Sequence, residues 1–145
     1  MQTSIRDILK RKGDAIVSVA SNATVLAAVR QMANHNVGAV LVVDAGRLVG
    51  ILSERDCARD LILEDKSATD TPVEELMTSD VLVVSPTHTV EQCMFLMTEN
   101  RVRHLPVLED GKLIGIVSIG DVVNALVSQK QFVIEQLESY ITGRS

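Results

Sequence analysis

The sequence predicts an α+β fold built from two pseudo-symmetric β-α-β-β-α units. Three observations predict it. The chain matches itself when shifted by 65 residues. Each copy alternates short β-branched runs with amphipathic helical stretches. And the core has almost no aromatic residues to draw on, only two Phe, one Tyr and no Trp among 145 residues, so it must be built from Val, Ile, Leu, Met and Ala.

The self-match places Ala15–Ile62 on Asp80–Val127 without a gap, and 13 of those 48 positions are identical. Among them are Val19/Val84, Thr24/Thr89, Met32/Met97, Gly46/Gly111, Gly50/Gly115, Ser53/Ser118 and Asp56/Asp121. Ordinary composition gives about three or four by chance. Upstream, Ile5–Leu9 resembles Val73–Met77 at an offset of 68, so three extra residues sit in the first copy around Lys10–Gly13. Two copies at this period are too few and too long for a solenoid.

The elements follow in order. Ile16–Val19 and Val81–Val84 are short apolar runs that read as strands. Thr24–Asn36 and Thr89–Asn100 read as helices, with Val25, Val29, Met32 and Val90, Met94, Met97 on one face. Ala39–Val43 and Leu105–Leu108 are strands. Asp44-Ala-Gly46 and Glu109-Asp-Gly111 carry turn chemistry, with a glycine free to adopt positive φ. Arg47–Leu52 and Lys112–Val117 return as hairpin partners, and a helix follows each. Glu64–Pro72 is polar and reads as a linker. Val122–Ile141 keeps helical spacing without a breaker, giving a helix of about 30 Å, with Gly143 as its stop. The expected organisation is a first unit with an N-terminal lead-in over 1–69, a second unit over 70–130, and a helical extension over 131–145.

Composition narrows the function. Net charge is −5 and aromatic content is 2%. Nucleic-acid binders are ordinarily basic, and those for single strands use stacking platforms, so neither DNA nor RNA is an expected partner. A small phosphate ligand needs only local cations. The N-terminus has no apolar h-region and no run approaches membrane-spanning length, so a cytoplasmic protein without a membrane partner is expected. Cys57 and Cys93 read as packed thiols, not as nucleophiles or a disulfide framework. His35, His88 and His104 lack ligand spacing, so no metal is expected. There is no phosphate-binding glycine loop and no assembly of nucleophile, base and orienting group, so no catalytic residues are expected either.

Gly50-Ile-Leu-Ser-Glu-Arg-Asp56 and Gly115-Ile-Val-Ser-Ile-Gly-Asp121, each following a hairpin, resemble the signature of CBS domains. Arg103-His-Leu-Pro-Val107 does too. The resemblance runs from Ile5 to Val127. It implies a stand-alone tandem CBS-domain pair, or Bateman module, with the units packed sheet to sheet and two clefts between them. It also implies a regulatory, signal-transducing role. The expected ligand is an adenosine-containing nucleotide, AMP, ADP, ATP or NAD, whose occupancy passes to an unidentified regulated protein by conformational or oligomeric change. Disk-like homodimers are the family's habit. The apolar residues of the last helix, Phe132, Val133, Leu137, Tyr140 and Ile141, would assist one. The alternative is a ligand-independent interaction or scaffold module.

Within that resemblance, Ser53, Asp56, Ser118 and Asp121 would handle ribose and phosphate. An ionised carboxylate accepts hydrogen bonds from vicinal hydroxyls, and a helix N-terminus offers N–H groups to an anion. Ser-x-x-Asp before an apolar helix is equally the pattern of an N-cap, and the two roles coexist. Arg101, Arg103 and His104 are the candidate phosphate-side cations, with the solvated alternative open for the arginines. Their counterparts Asn36, Gly38 and Ala39 carry no charge. Arg55 stands opposite Gly120. Ile16, Val17, Val81 and Leu82 are candidates for an adenine pocket, or ordinary core. Lys10, Arg11 and Lys12 read as an exposed basic turn, though a loop there could reach a phosphate.

Overall fold

The computed structural model describes residues 2–13 and 15–142. It divides into two compact units, one of residues 15–82 and one joining residues 1–14 to 83–145. The boundaries expected from the repeat followed chain order. The compact units follow packing, and they place the N-terminal lead-in with the second copy.

In the unit of residues 15–82, strand β1 (Ser18–Val19) pairs in parallel with β2 (Ala39–Asp44), which pairs antiparallel with β3 (Arg47–Ser53). Helix α2 (Val25–His35) crosses from β1 to β2. Helix α3 (Glu54–Leu63) leaves β3, and the short α4 (Val73–Leu76) closes the unit. Thr24 caps α2 by accepting the Ala27 N–H at 3.1 Å, and Asn36 ends it in the left-handed conformation. Val25, Ala28 and Met32 from α2 meet Val40, Val42, Leu52, Cys57, Val73 and Leu76 in one core. Ala39–Val42 are all buried, so β2 is covered on both faces, as its unbroken apolar run requires.

The other unit repeats the design. Helix α1 (Ile5–Lys12) leads, followed by α5 (Val90–Asn100), the hairpin β4 (His104–Glu109) with β5 (Lys112–Ser118), and α6 (Ile119–Thr142). Ile5, Ile8, Val90, Cys93, Met97, Leu105, Val107, Val117 and Val122 are buried. Thr89 caps α5 in a full capping box with Gln92. In both hairpins the two loop residues have positive φ, Ala45 with Gly46 and Asp110 with Gly111, as the tight primed turns demand.

Two expected strands are shorter than predicted. Ile16–Val19 pairs only at Ser18–Val19, and Val81–Val84 reduces to one parallel bridge between Val84 and Val107. Both runs are apolar, but only their last residues find a ladder partner. The expected linker is more than a spacer. The Thr71 and Ala68 carbonyls accept the Val25 and Leu26 N–H groups at 2.9 Å each, satisfying two of the donors that the first turn of α2 leaves free.

The lead-ins are exchanged between the copies. In one unit the Val73 N–H donates to Ala23 O and the Glu74 N–H to Ser21 O. In the other, Ile5 N–H donates to His88 O and Arg6 N–H to Pro86 O. Each lead-in helix thus docks ahead of the helix of the other sequence copy. Helix α6 runs unbroken for 24 residues, about 36 Å. Gln129 ties it to the Thr3 N–H and the Glu91 carboxylate, and beyond it Phe132, Val133, Ile134, Leu137 and Ile141 are exposed. Gly143 and the side chain of Tyr140 lie outside the described residues.

Candidate functional site

Each Ser-x-x-Asp motif sits where the second strand of a hairpin turns directly into a helix. The geometry arises locally. Ser53 ends β3 with φ −99° and ψ 153°, the extended backbone an N-cap needs, and its Oγ accepts the Asp56 N–H at 3.1 Å. Ser118 Oγ accepts the Asp121 N–H at 3.2 Å. The first N–H of each helix is taken by a carbonyl preceding the hairpin, Glu54 N–H by Gly38 O at 3.0 Å and Ile119 N–H by Arg103 O at 2.8 Å. Both serines therefore cap. Capping leaves the carboxylates of Asp56 and Asp121 partly exposed beside a positive helix end.

The two carboxylates differ in their partners. Asp56 Oδ1 accepts from the Arg59 guanidinium at 2.9 Å, one helical turn on. Asp121 closes a reciprocal box, its Oδ2 accepting the Ser118 N–H at 2.8 Å. The same oxygen meets Lys12 Nζ at 2.5 Å. Burial pushes the Asp121 carboxyl up, but the Lys12 ammonium and the Ser118 donors outweigh it and hold it below its ordinary value.

Arg101, Arg103 and His104 lie on the approach to β4. Arg101 ends α5 in the left-handed conformation at φ 54°, where Asn36 stands in the other copy. The Arg101 and Arg103 side chains are exposed and make no ion pair among the described residues. The Arg103 carbonyl fixes that residue to the start of α6, and His104 opens β4, half-buried. Arg55 is exposed on the first turn of α3. Ile16, Val17, Val81 and Leu82 are half-buried. Val17 packs against the core of its unit, and the unit boundary falls between Leu82 and Val83.

The sequence-based expectations pair neither carboxylate with a cation, and they read Lys10, Arg11 and Lys12 as an exposed turn where the structure has the last turn of α1. Arg59 was legible, since a basic residue three positions after a helical carboxylate faces it. Lys12 was not, because 109 residues separate it from Asp121. Burial lifts the thiols of Cys57 and Cys93 to about 11, which leaves them protonated. No cluster of metal-binding side chains occurs among the described residues.

Two α+β units, each starting a helix on a Ser-x-x-Asp turn at the end of a hairpin, define a tandem module in which the same turn recurs in non-identical surroundings. The CBS domain model matches residues 5–63 and 73–128, and the chain belongs to that family, whose paired domains are regulatory modules. The mitochondrial CBS domain-containing protein CBSX3 of Arabidopsis thaliana is 41% identical over 97% of this chain and 73% of its own. A solved protein with CBS domains from Burkholderia ambifaria is 46% identical, covering 87% of this chain and 95% of its own, with a TM-score of 0.84. A CBS domain pair solved in complex with 5′-methylthioadenosine and S-adenosyl-L-methionine is 26% identical, covering 89% and 99%, with a TM-score of 0.78.

Proposed function

We propose that the chain is a non-catalytic sensor that binds an adenosine-containing nucleotide at its Ser-x-x-Asp turns and passes occupancy to a partner protein. The observation that carries this reading is the pair of partly exposed carboxylates, on Asp56 and Asp121, two residues whose backbone N–H groups are each capped by a serine at a helix N-terminus. A ribose diol donates to such a carboxylate, and the phosphates meet helix N–H groups and nearby cations. The CBS pair that carries two adenosyl compounds supports the ligand class. AMP, ADP, ATP and NAD share the adenosine, and Arg55, Arg101, Arg103 and His104 favour the phosphorylated members. Ile16, Val17, Val81 and Leu82 would face the base. We place the protein in the cytoplasm, and as a homodimer joined through the exposed apolar face of α6 beyond Gln129. Light scattering should return twice the chain mass, and a monomer with and without nucleotide would remove the dimer from the reading.

Thermal melts with AMP, ATP and NAD test the ligand. A nucleotide at one hundred times its dissociation constant should stabilise the fold by about 2.7 kcal/mol. Asp56→Ala with Asp121→Ala should abolish that shift. A shift that survives both changes overturns the assignment of the aspartates. No shift with any of the three favours the ligand-independent scaffold.

A further inference from the structure

We propose that Lys12 is a specificity residue of the Asp121 site, an exchangeable counter-ion from a distant helix that makes this site select phosphorylated ligands over the bare nucleoside. The inference rests on the nucleotide-binding reading above.

The two units differ here in one helical turn. Leu9 and Met77 are equivalent, since Leu9 lies against Gly115 as Met77 lies against Gly50. Past this point the units diverge. Helix α4 stops at Leu76, Met77 is extended at ψ 153°, and Thr78 pairs with Ile51. Helix α1 instead continues to Lys12 and is capped by the Gly13 N–H on Leu9 O at 2.8 Å. The extra turn is Lys10-Arg11-Lys12, the three cations that suit a helix C-terminus. It delivers the Lys12 ammonium to Asp121 Oδ2, the oxygen that also accepts the Ser118 N–H. Among the described residues the ion-pair partner of Asp56 is Arg59 of its own helix, with a guanidinium that is more than half exposed.

The consequence is competition at one carboxylate. A ligand offering only hydroxyls must share Asp121 with Lys12 or displace an ammonium that then exchanges a carboxylate for water. A ligand that brings a phosphate gives the ammonium a new anion, so the ion pair is exchanged instead of lost. Lysine suits this role, because its charge is compact and its stem flexible. The ion pair is about one-quarter to one-third exposed, so it is within reach of both ligand and solvent.

Calorimetric titration of AMP and adenosine into the full chain tests this, in an Asp56→Ala background that leaves the Asp121 site to be read alone. Lys12→Met should lower the preference for AMP over adenosine by about tenfold, the loss of one charge-assisted hydrogen bond. Lys12→Arg should restore most of the preference. An unchanged ratio in Lys12→Met, with AMP still bound, overturns the role of Lys12 and leaves the nucleotide reading standing. Absence of binding of both compounds to the unsubstituted chain overturns both.

Discussion

Gly50 and Gly115 occupy matching positions in β3 and β5, and the two units predict different penalties for the same substitution. A Cβ on Gly50 would lie 2.5 Å from Met77 Sδ, 2.9 Å from Met77 Cγ and 3.1 Å from the Thr78 carbonyl oxygen. The methionine can rotate away. The carbonyl cannot, because it accepts the Ile51 N–H at 3.0 Å while the Thr78 N–H donates to Ile51 O at 2.9 Å. A Cβ on Gly115 would lie 2.7 Å and 3.3 Å from the two methyl carbons of Leu9, and no backbone atom is among its nearest neighbours. Overpacking of this kind costs about 1–3 kcal/mol. Gly50→Ala should fall at the upper end and Gly115→Ala at the lower. For a chain of this size, that lowers the melting temperature by about 6–12 °C and 2–4 °C respectively. Urea unfolding should give the same order, with unchanged denaturant slopes if both variants keep their compactness. A Gly115→Ala penalty equal to or above that of Gly50→Ala would refute the reasoning, because it would mean that backbone contact does not set the cost. The same experiment bears on Lys12. If Leu9 turns aside without lifting α1, the Lys12–Asp121 pair survives in Gly115→Ala.

Three further outcomes follow from the same geometry. Ser53→Ala and Ser118→Ala should each destabilise the fold by about 1 kcal/mol through loss of an N-cap, measured by urea unfolding, even if neither alters ligand affinity. Asp121 has a lowered folded pKa, so it contributes stability above its unfolded value near ~3.9 and loses it as pH falls through the folded value. The deficit of Lys12→Met relative to the unsubstituted chain should therefore be full near neutral pH, under ~1 kcal/mol for a partly exposed pair, and vanish in strong acid. A deficit that grows on acidification would contradict the sign. Cys57 and Cys93 are buried with pKa values of about 11, so a thiol reagent at mildly alkaline pH should modify them only at the rate of unfolding. Prompt labelling of the native chain would show that one of them is reachable.

Much of this protein was legible in its sequence because the signals are local. The helix of Thr24–Asn36 is read from its apolar face, and both predicted ends prove to be caps, with Val25–His35 between them. The hairpin turns are read from Gly46 and Gly111, and the Ser-x-x-Asp turns from spacing alone. Each depends on residues within a few positions of one another. The strand predicted at Val81–Val84 failed for the opposite reason, since a strand needs a partner ladder and only Val84 has one.

The repeat by itself determined that there are two like units and that their motif helices begin alike. It could not determine which lead-in serves which unit. The copies resemble each other, so Ile5–Leu9 and Val73–Met77 match either one, and chain order suggested the nearer. Packing decided otherwise, with α1 hydrogen-bonded to the Pro86–His88 turn and Leu9 seated on Gly115. That docking, and the extra turn that follows it, carries Lys12 to Asp121. Local chemistry set both carboxylates at helix ends, and only the tertiary structure gave one of them a lysine, because a contact across 109 residues is fixed by what the intervening chain packs against.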